Sequence, residues 1–123
     1  MDMKARETIV NTNSNYYRYS DYSIEQLYEE IGILKEKALK AEQVGNISEV
    51  AVNERKMQVA IAYTLNPDDF KDGETYELKM EPGMSFKIDY INGIFAWGHR
   101  VNLLNEEYEK KEALPISLLG DKK

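Results

Sequence analysis

The sequence predicts an α+β chain, an antiparallel α-hairpin followed by a small β-barrel, and three observations carry that reading. Apolar residues recur with a helical period from Ser23 to Leu65. A short break at Gly45-Asn46 divides that stretch in two. After Gly73 the period drops to 2, and turn-forming residues cut the chain into short segments.

Residues 1–22 read as a polar tail and a tyrosine-rich lead-in, with Tyr16, Tyr17, Tyr19 and Tyr22 grouped around Arg18. Tyrosines at that density pack onto something, so order is expected to begin there. Residues 23–65 are the hairpin. Ser23 followed by Gln26 is a capping box, which starts the first helix. Ile24, Leu27, Ile31, Leu34, Ala38 and Ala41 then alternate spacings of three and four, the seam of a heptad pattern. Gly45 supplies the left-handed residue that closes many helices. Asn46 caps a second helix, with Glu49 at its third position, and Asn66-Pro67 stops it near Leu65. So short a connection makes the helices antiparallel. The second helix shows two apolar stripes, one through Ile47, Val50, Ala51, Met57, Ile61 and Leu65, the other through Val52, Val59 and Tyr63.

Residues 66–123 are the small barrel with a short tail. Thr75 to Met80 alternates, and Glu81-Pro82-Gly83 is a turn. Phe86 to Ile91 is the next strand, and Asn92-Gly93 is a hairpin signal because a type I′ turn needs positive φ at both central residues. Ile94 to Trp97 returns, with Gly98 as a bulge or bend. Val101 to Glu112 is an acidic loop or helical turn, and Pro115 suits a short 3₁₀ turn before a final edge strand. A plain meander packed on the hairpin is the alternative to a barrel.

Composition bounds the function. At 123 residues, 42% hydrophobic and 31% charged, the chain is globular rather than disordered. It has no cysteine, which excludes disulfides and thiolate metal sites. No run approaches the roughly 20 apolar residues of a membrane span, and residues 1–15 lack the apolar core of a secretory signal, so a cytoplasmic location is expected. Net charge is −6: residues 1–22 are neutral, 23–65 carry seven acids against five bases, and 66–123 carry twelve against eight. None of these segments has the basic excess of a strong nucleic-acid binder.

Several runs match a known family: Arg18 to Ser20, Lys40 to Gln43 with Gly45, Glu54 to Lys56, Tyr63 to Phe70 (YTLNPDDF), Tyr90 to Arg100 (YINGIFAWGHR) and Glu112 to Leu118 (EALPISL). The chain therefore resembles the YfhH-like family, short proteins of Gram-positive bacteria without an assigned activity. The resemblance covers roughly Tyr16 to Leu119. It implies an N-terminal antiparallel α-hairpin followed by a small SH3-like β-barrel, and it admits a role in transcription control. It supplies no catalytic residues.

The candidate binding residues are Trp97, His99, Arg100, Glu54 and Arg55. Trp97 with His99 and Arg100 forms an aromatic and basic group at the barrel rim, suited to a peptide or a stacked base. Phe95 and Trp97 share a strand face, and one face of the sheet is core, so most of the strand aromatics are expected to be core residues. Glu54 falls in the larger stripe of the second helix, so it is expected either to be buried and paired with a lysine or arginine of the first helix or the tyrosine-rich segment, Arg18 being a good candidate, or to face a cavity, and Arg55 stands beside it. His99 is the sole histidine and reads as a surface residue at a strand end ahead of a site residue. Asp68, Asp69 and Asp72 match no calcium loop, and Asn46-Ile47-Ser48 fits a helix cap better than a glycosylation acceptor. No phosphate loop, HExxH run or nucleophile elbow is present, so no enzyme, no cofactor and no metal is expected. The leading expectation is a cytoplasmic regulatory module that binds a protein partner. Nucleic-acid binding is the alternative, and a homodimer through the hairpin suits the heptad seam.

Overall fold

The computed structural model describes residues 19–123. The described residues divide into two compact units, one ending at Thr64 and the other running from Leu65 to Lys123. No helix among the described residues is long and apolar enough to cross a membrane. Tyr16, Tyr17 and Arg18, including the expected Arg18–Glu54 pair, lie outside the described residues.

The first unit begins with a 3₁₀ turn at Tyr19–Asp21 and continues into α1 (Ile24–Gln43) and α2 (Ile47–Ala62). Both halves of the capping box form: Ser23 Oγ accepts from the Gln26 N–H at 3.1 Å, and Gln26 Oε1 accepts from the Ser23 N–H at 2.8 Å. At the other end, Asn46 N–H donates to Ala41 O and Gly45 N–H to Glu42 O, with Gly45 at φ 73°. This is a Schellman closure, and it frees Asn46 to accept the Glu49 N–H at the start of α2. Leu27, Leu34, Ala38 and Ala41 of the seam are buried in the single chain, whereas Ile24 is 47% exposed. Tyr19 is buried, donates its hydroxyl to Glu30 Oε2 at 2.7 Å, and meets Tyr22 and Tyr63 edge-on.

Helix α2 departs from the expected stripes. Its buried residues are Asn53, Val59, Ala60 and Ala62, while Ile47 and Val52 are exposed. Glu54, expected to be buried, is exposed. The position next to it, Asn53, faces inward instead, its Nδ2 donating to Glu49 O at 2.8 Å. The helix also ends at Ala62 rather than Leu65, because Thr64 turns its N–H and its hydroxyl back to Ile61 O.

The second unit opens with a 3₁₀ turn at Pro67–Asp69, capped by Asn66 Oδ1. Five strands follow: β1 (Thr75–Leu78), β2 (Ser85–Asn92), β3 (Phe95–Val101), β4 (Glu112–Pro115) and β5 (Leu119–Lys122). They form one antiparallel sheet in the order β4-β3-β2-β1-β5. The closed barrel expected from the sequence is not observed: β4 and β5 are the two edges of an open sheet. No pairing joins β4 to β5; the three-residue 3₁₀ turn at Ile116–Leu118 carries the chain from β4 across to pair with β1. Phe86, Ile88, Ala96 and Ile116 are completely buried, each large apolar side chain contributing about 1.5–3 kcal/mol.

One turn and one bulge set the placement of the outer residues. The β2–β3 hairpin turns at Gly93-Ile94, one residue later than expected, since Asn92 already pairs with Phe95. Only Gly93 has positive φ, which is the pattern of a type II′ rather than a type I′ turn. Further along the ladder, Ile88 pairs with Gly98 and Tyr90 with Trp97, leaving Asp89 as an extra bulged residue.

Candidate functional site

The bulge at Asp89 creates the candidate site. Strict alternation from the buried Ile88 would turn Tyr90 inward; the extra residue turns it outward instead, opposite Trp97. The two rings stack at 6.0 Å between centroids, only 10° from parallel. Tyr90 is 41% exposed and Trp97 is half-buried. Lys111, from the loop before β4, stands over the Tyr90 ring at 5.4 Å.

Charged groups surround this pair and neutralise one another. Asp89 Oδ2 lies 3.2 Å from Lys111 Nζ and 3.4 Å from His99 Nε2. His99 Nδ1 is 2.9 Å from the carbonyl oxygen of Tyr108. Across the ladder from His99, Lys87 pairs loosely with Glu107 at 3.8 Å. The outer face is thus an aromatic platform in a frame of matched charges.

Arg100 is not part of that face. Trp97 and His99 are two residues apart and share a side of the sheet, whereas Arg100 pairs across from the buried Phe86 on the other side. Its Nε donates to Glu112 Oε2 at 2.8 Å, and a second nitrogen donates to Glu81. Burial works against its charge, but the hydrogen bonds and fields of Glu112 and Glu81 outweigh it, and the guanidinium pKa is raised. Arg100 is therefore a structural tie between the β1–β2 turn, β3 and β4. Glu54 and Arg55 are exposed positions of α2, in the other unit.

The structure adds Tyr90, Asp89 and Lys111 to the residues read from sequence. Tyr90 is legible as a strand aromatic, but its outward direction depends on the bulge. Asp89 and Lys111 reach the site through pairing between distant strands and leave no local signal.

A family profile described as "Protein of unknown function (DUF1811)" matches residues 17–120. The chain belongs to this family. It is also 50% identical over 105 residues to the "Uncharacterized protein YfhH" of Bacillus subtilis (strain 168), an alignment that covers 85% of this chain and 96% of that protein. The matched span of this DUF1811 protein contains α1, α2 and every residue of the aromatic face.

Proposed function

We propose that this DUF1811 protein is a cytoplasmic binding module without enzymatic activity, and that its sheet recognises a protein partner on the Tyr90–Trp97 face. The observation that carries the reading is the stacked aromatic pair held outward by the Asp89 bulge. Large aromatic side chains kept at a surface are the residues that anchor protein interfaces. The strand order, with β5 returning to β1 after a 3₁₀ turn, supports an SH3-like arrangement left open between its edge strands.

Nucleic-acid binding is the weaker reading. Lys111, His99 and Lys87 each face a carboxylate, so the face offers little charge to a phosphate. A homodimer through the hairpin is also weaker, because the buried seam residues Leu27, Leu34, Ala38 and Ala41 are already used within one chain.

The test is co-purification of tagged protein from its own cytoplasm, with and without nuclease, beside Trp97→Ala and Tyr90→Ala variants. Partners that survive nuclease and are lost from both variants support the reading. Partners that disappear with nuclease would move it to nucleic acid, and partners retained by both variants would remove the aromatic face from consideration.

A further inference from the structure

His99 stands between two elements that shape the aromatic face, and both of its ring nitrogens meet an acceptor. Nδ1 lies 2.9 Å from the carbonyl oxygen of Tyr108, in the loop before β4. A carbonyl can only accept, so Nδ1 carries a hydrogen in either charge state. Nε2 lies 3.4 Å from Asp89 Oδ2, and an ionised carboxylate can also only accept. A neutral imidazole has one N–H and serves one of these groups, whereas the imidazolium serves both. The His99 side chain is only 20% exposed, so water replaces a lost partner in part at most.

Each contact has a lever behind it. Tyr108 fastens the loop to β3, since its N–H also donates to Arg100 O at 2.8 Å, beside the bridge between Val101 and Glu107. Asp89 is the bulged residue that turns Tyr90 outward, and its Oδ2 is shared with Lys111 Nζ at 3.2 Å. Lys111 in turn stands over the Tyr90 ring. The charge state of one imidazole is thereby connected, through one carboxylate oxygen, to the ammonium lying on the aromatic stack. The other charges near His99 are already matched. Its cross-strand neighbour Lys87 pairs with Glu107, while Glu81 and Glu112 are taken by Arg100 on the other side of the sheet. Lys87 and Lys111 balance Asp89 and Glu107, so protonation of His99 turns a neutral face into one with a single positive charge.

We propose that His99 is a pH-sensitive latch of the Tyr90–Trp97 face. Charged, it clamps the Asp89 bulge and the Tyr108 loop to β3 and shares Asp89 with Lys111. Neutral, it keeps Tyr108 and turns a lone pair towards Asp89, which swings to Lys111 and shifts that ammonium over the Tyr90 ring. Acidification closes the latch and gives the face its positive charge. Its use in partner binding rests on the aromatic face being the recognition surface, whereas the latch itself belongs to the free chain.

The test is an NMR titration of the full, unbound chain from about pH 5 to about pH 8, where an ordinary histidine changes charge and carboxylates and lysines do not. His99 is the only histidine, so its ring signals are identified at once. Proton–nitrogen correlation of the ring is expected to show hydrogen on Nδ1 in the neutral form and on both nitrogens in the charged form. The Tyr90 ring signals should shift with the same midpoint as His99. In Asp89→Asn, His99 should still titrate while the Tyr90 shift is lost, and Lys111→Met should also remove that shift. A neutral ring with its hydrogen on Nε2 would overturn the latch, as would a ring that keeps one charge state across the window. So would Tyr90 signals that ignore His99, or that follow it undiminished in Asp89→Asn. Failure of these signals strikes the latch alone, and failure to co-purify a partner strikes the binding reading alone.

Discussion

The carbonyl oxygen of Lys87 occupies the space where a side chain on Gly98 would begin. Gly98 stands opposite Ile88 at the edge of the bulge, and only a residue without Cβ lets β2 and β3 approach there. Gly98→Ala should therefore destabilise the sheet by about 2–3 kcal/mol, since the clash is with backbone and no side chain can move aside. Urea unfolding followed by the tryptophan signal would show it. An alanine variant as stable as wild type would mean that the bulge is not as tight as described.

Arg100 and Glu112 are expected to act as one unit. Removing the arginine leaves a largely buried carboxylate without its main partner, so Arg100→Ala should cost about 1–3 kcal/mol. The double variant with Glu112→Ala should cost less than the sum of the singles, with a coupling of roughly 1 kcal/mol. Denaturation of the four proteins in a double-mutant cycle measures this, and additive losses would show that the two side chains do not interact.

Asn53 places a side-chain amide on the inward face of α2, with its donor spent on Glu49. Its carbonyl oxygen has no partner among the described residues, which makes the position a weak point of the hairpin. Asn53→Leu is predicted to raise stability by about 1 kcal/mol, as replacing a half-satisfied buried polar group does. Thermal melting followed by helical dichroism gives the answer, and a lower midpoint would show that the amide holds the helices in register.

Trp97 is the only tryptophan, so the intrinsic emission of the protein reports the outer face. Tyr90→Ala uncovers one side of the indole and should shift its emission to longer wavelength while costing about 1 kcal/mol at most beyond lost burial. An unmoved spectrum would mean that the stack does not persist in solution.

What the sequence makes legible follows chain proximity. Ser23, Gly45, Asn46 and Asn66 each act on residues within five positions, and all four caps and turns can be read from their neighbours. Gly98 reads as a bend because a glycine inside a strand weakens it and lets another backbone come close. Glu54 lies on the solvent side, against expectation, because the stripe through Ile47 and Ala51 stays in solvent while the true inward line passes through the polar Asn53. Adjacency groups Arg100 with Trp97 and His99, although odd and even residues of a strand face opposite ways. Asp89 and Lys111, 22 residues apart, meet only once β2, β3 and β4 are aligned. The pairing of β5 with β1 is hidden for a similar reason, since the two strands lie far apart in the chain and meet only after the 3₁₀ turn.

That return of β5 to β1 also imposes an order of assembly. The hairpin's pairing is local, and α1 and α2 can meet as soon as both have been synthesised. The sheet is different: Tyr76 must wait for Lys122, so one flank of β1 stays unpaired while the next 46 residues are made. A chain that stalls after β4 would present a bare strand to its neighbours, the template on which aggregates grow. Vectorial synthesis thus makes the last strand a completion signal for the whole second unit.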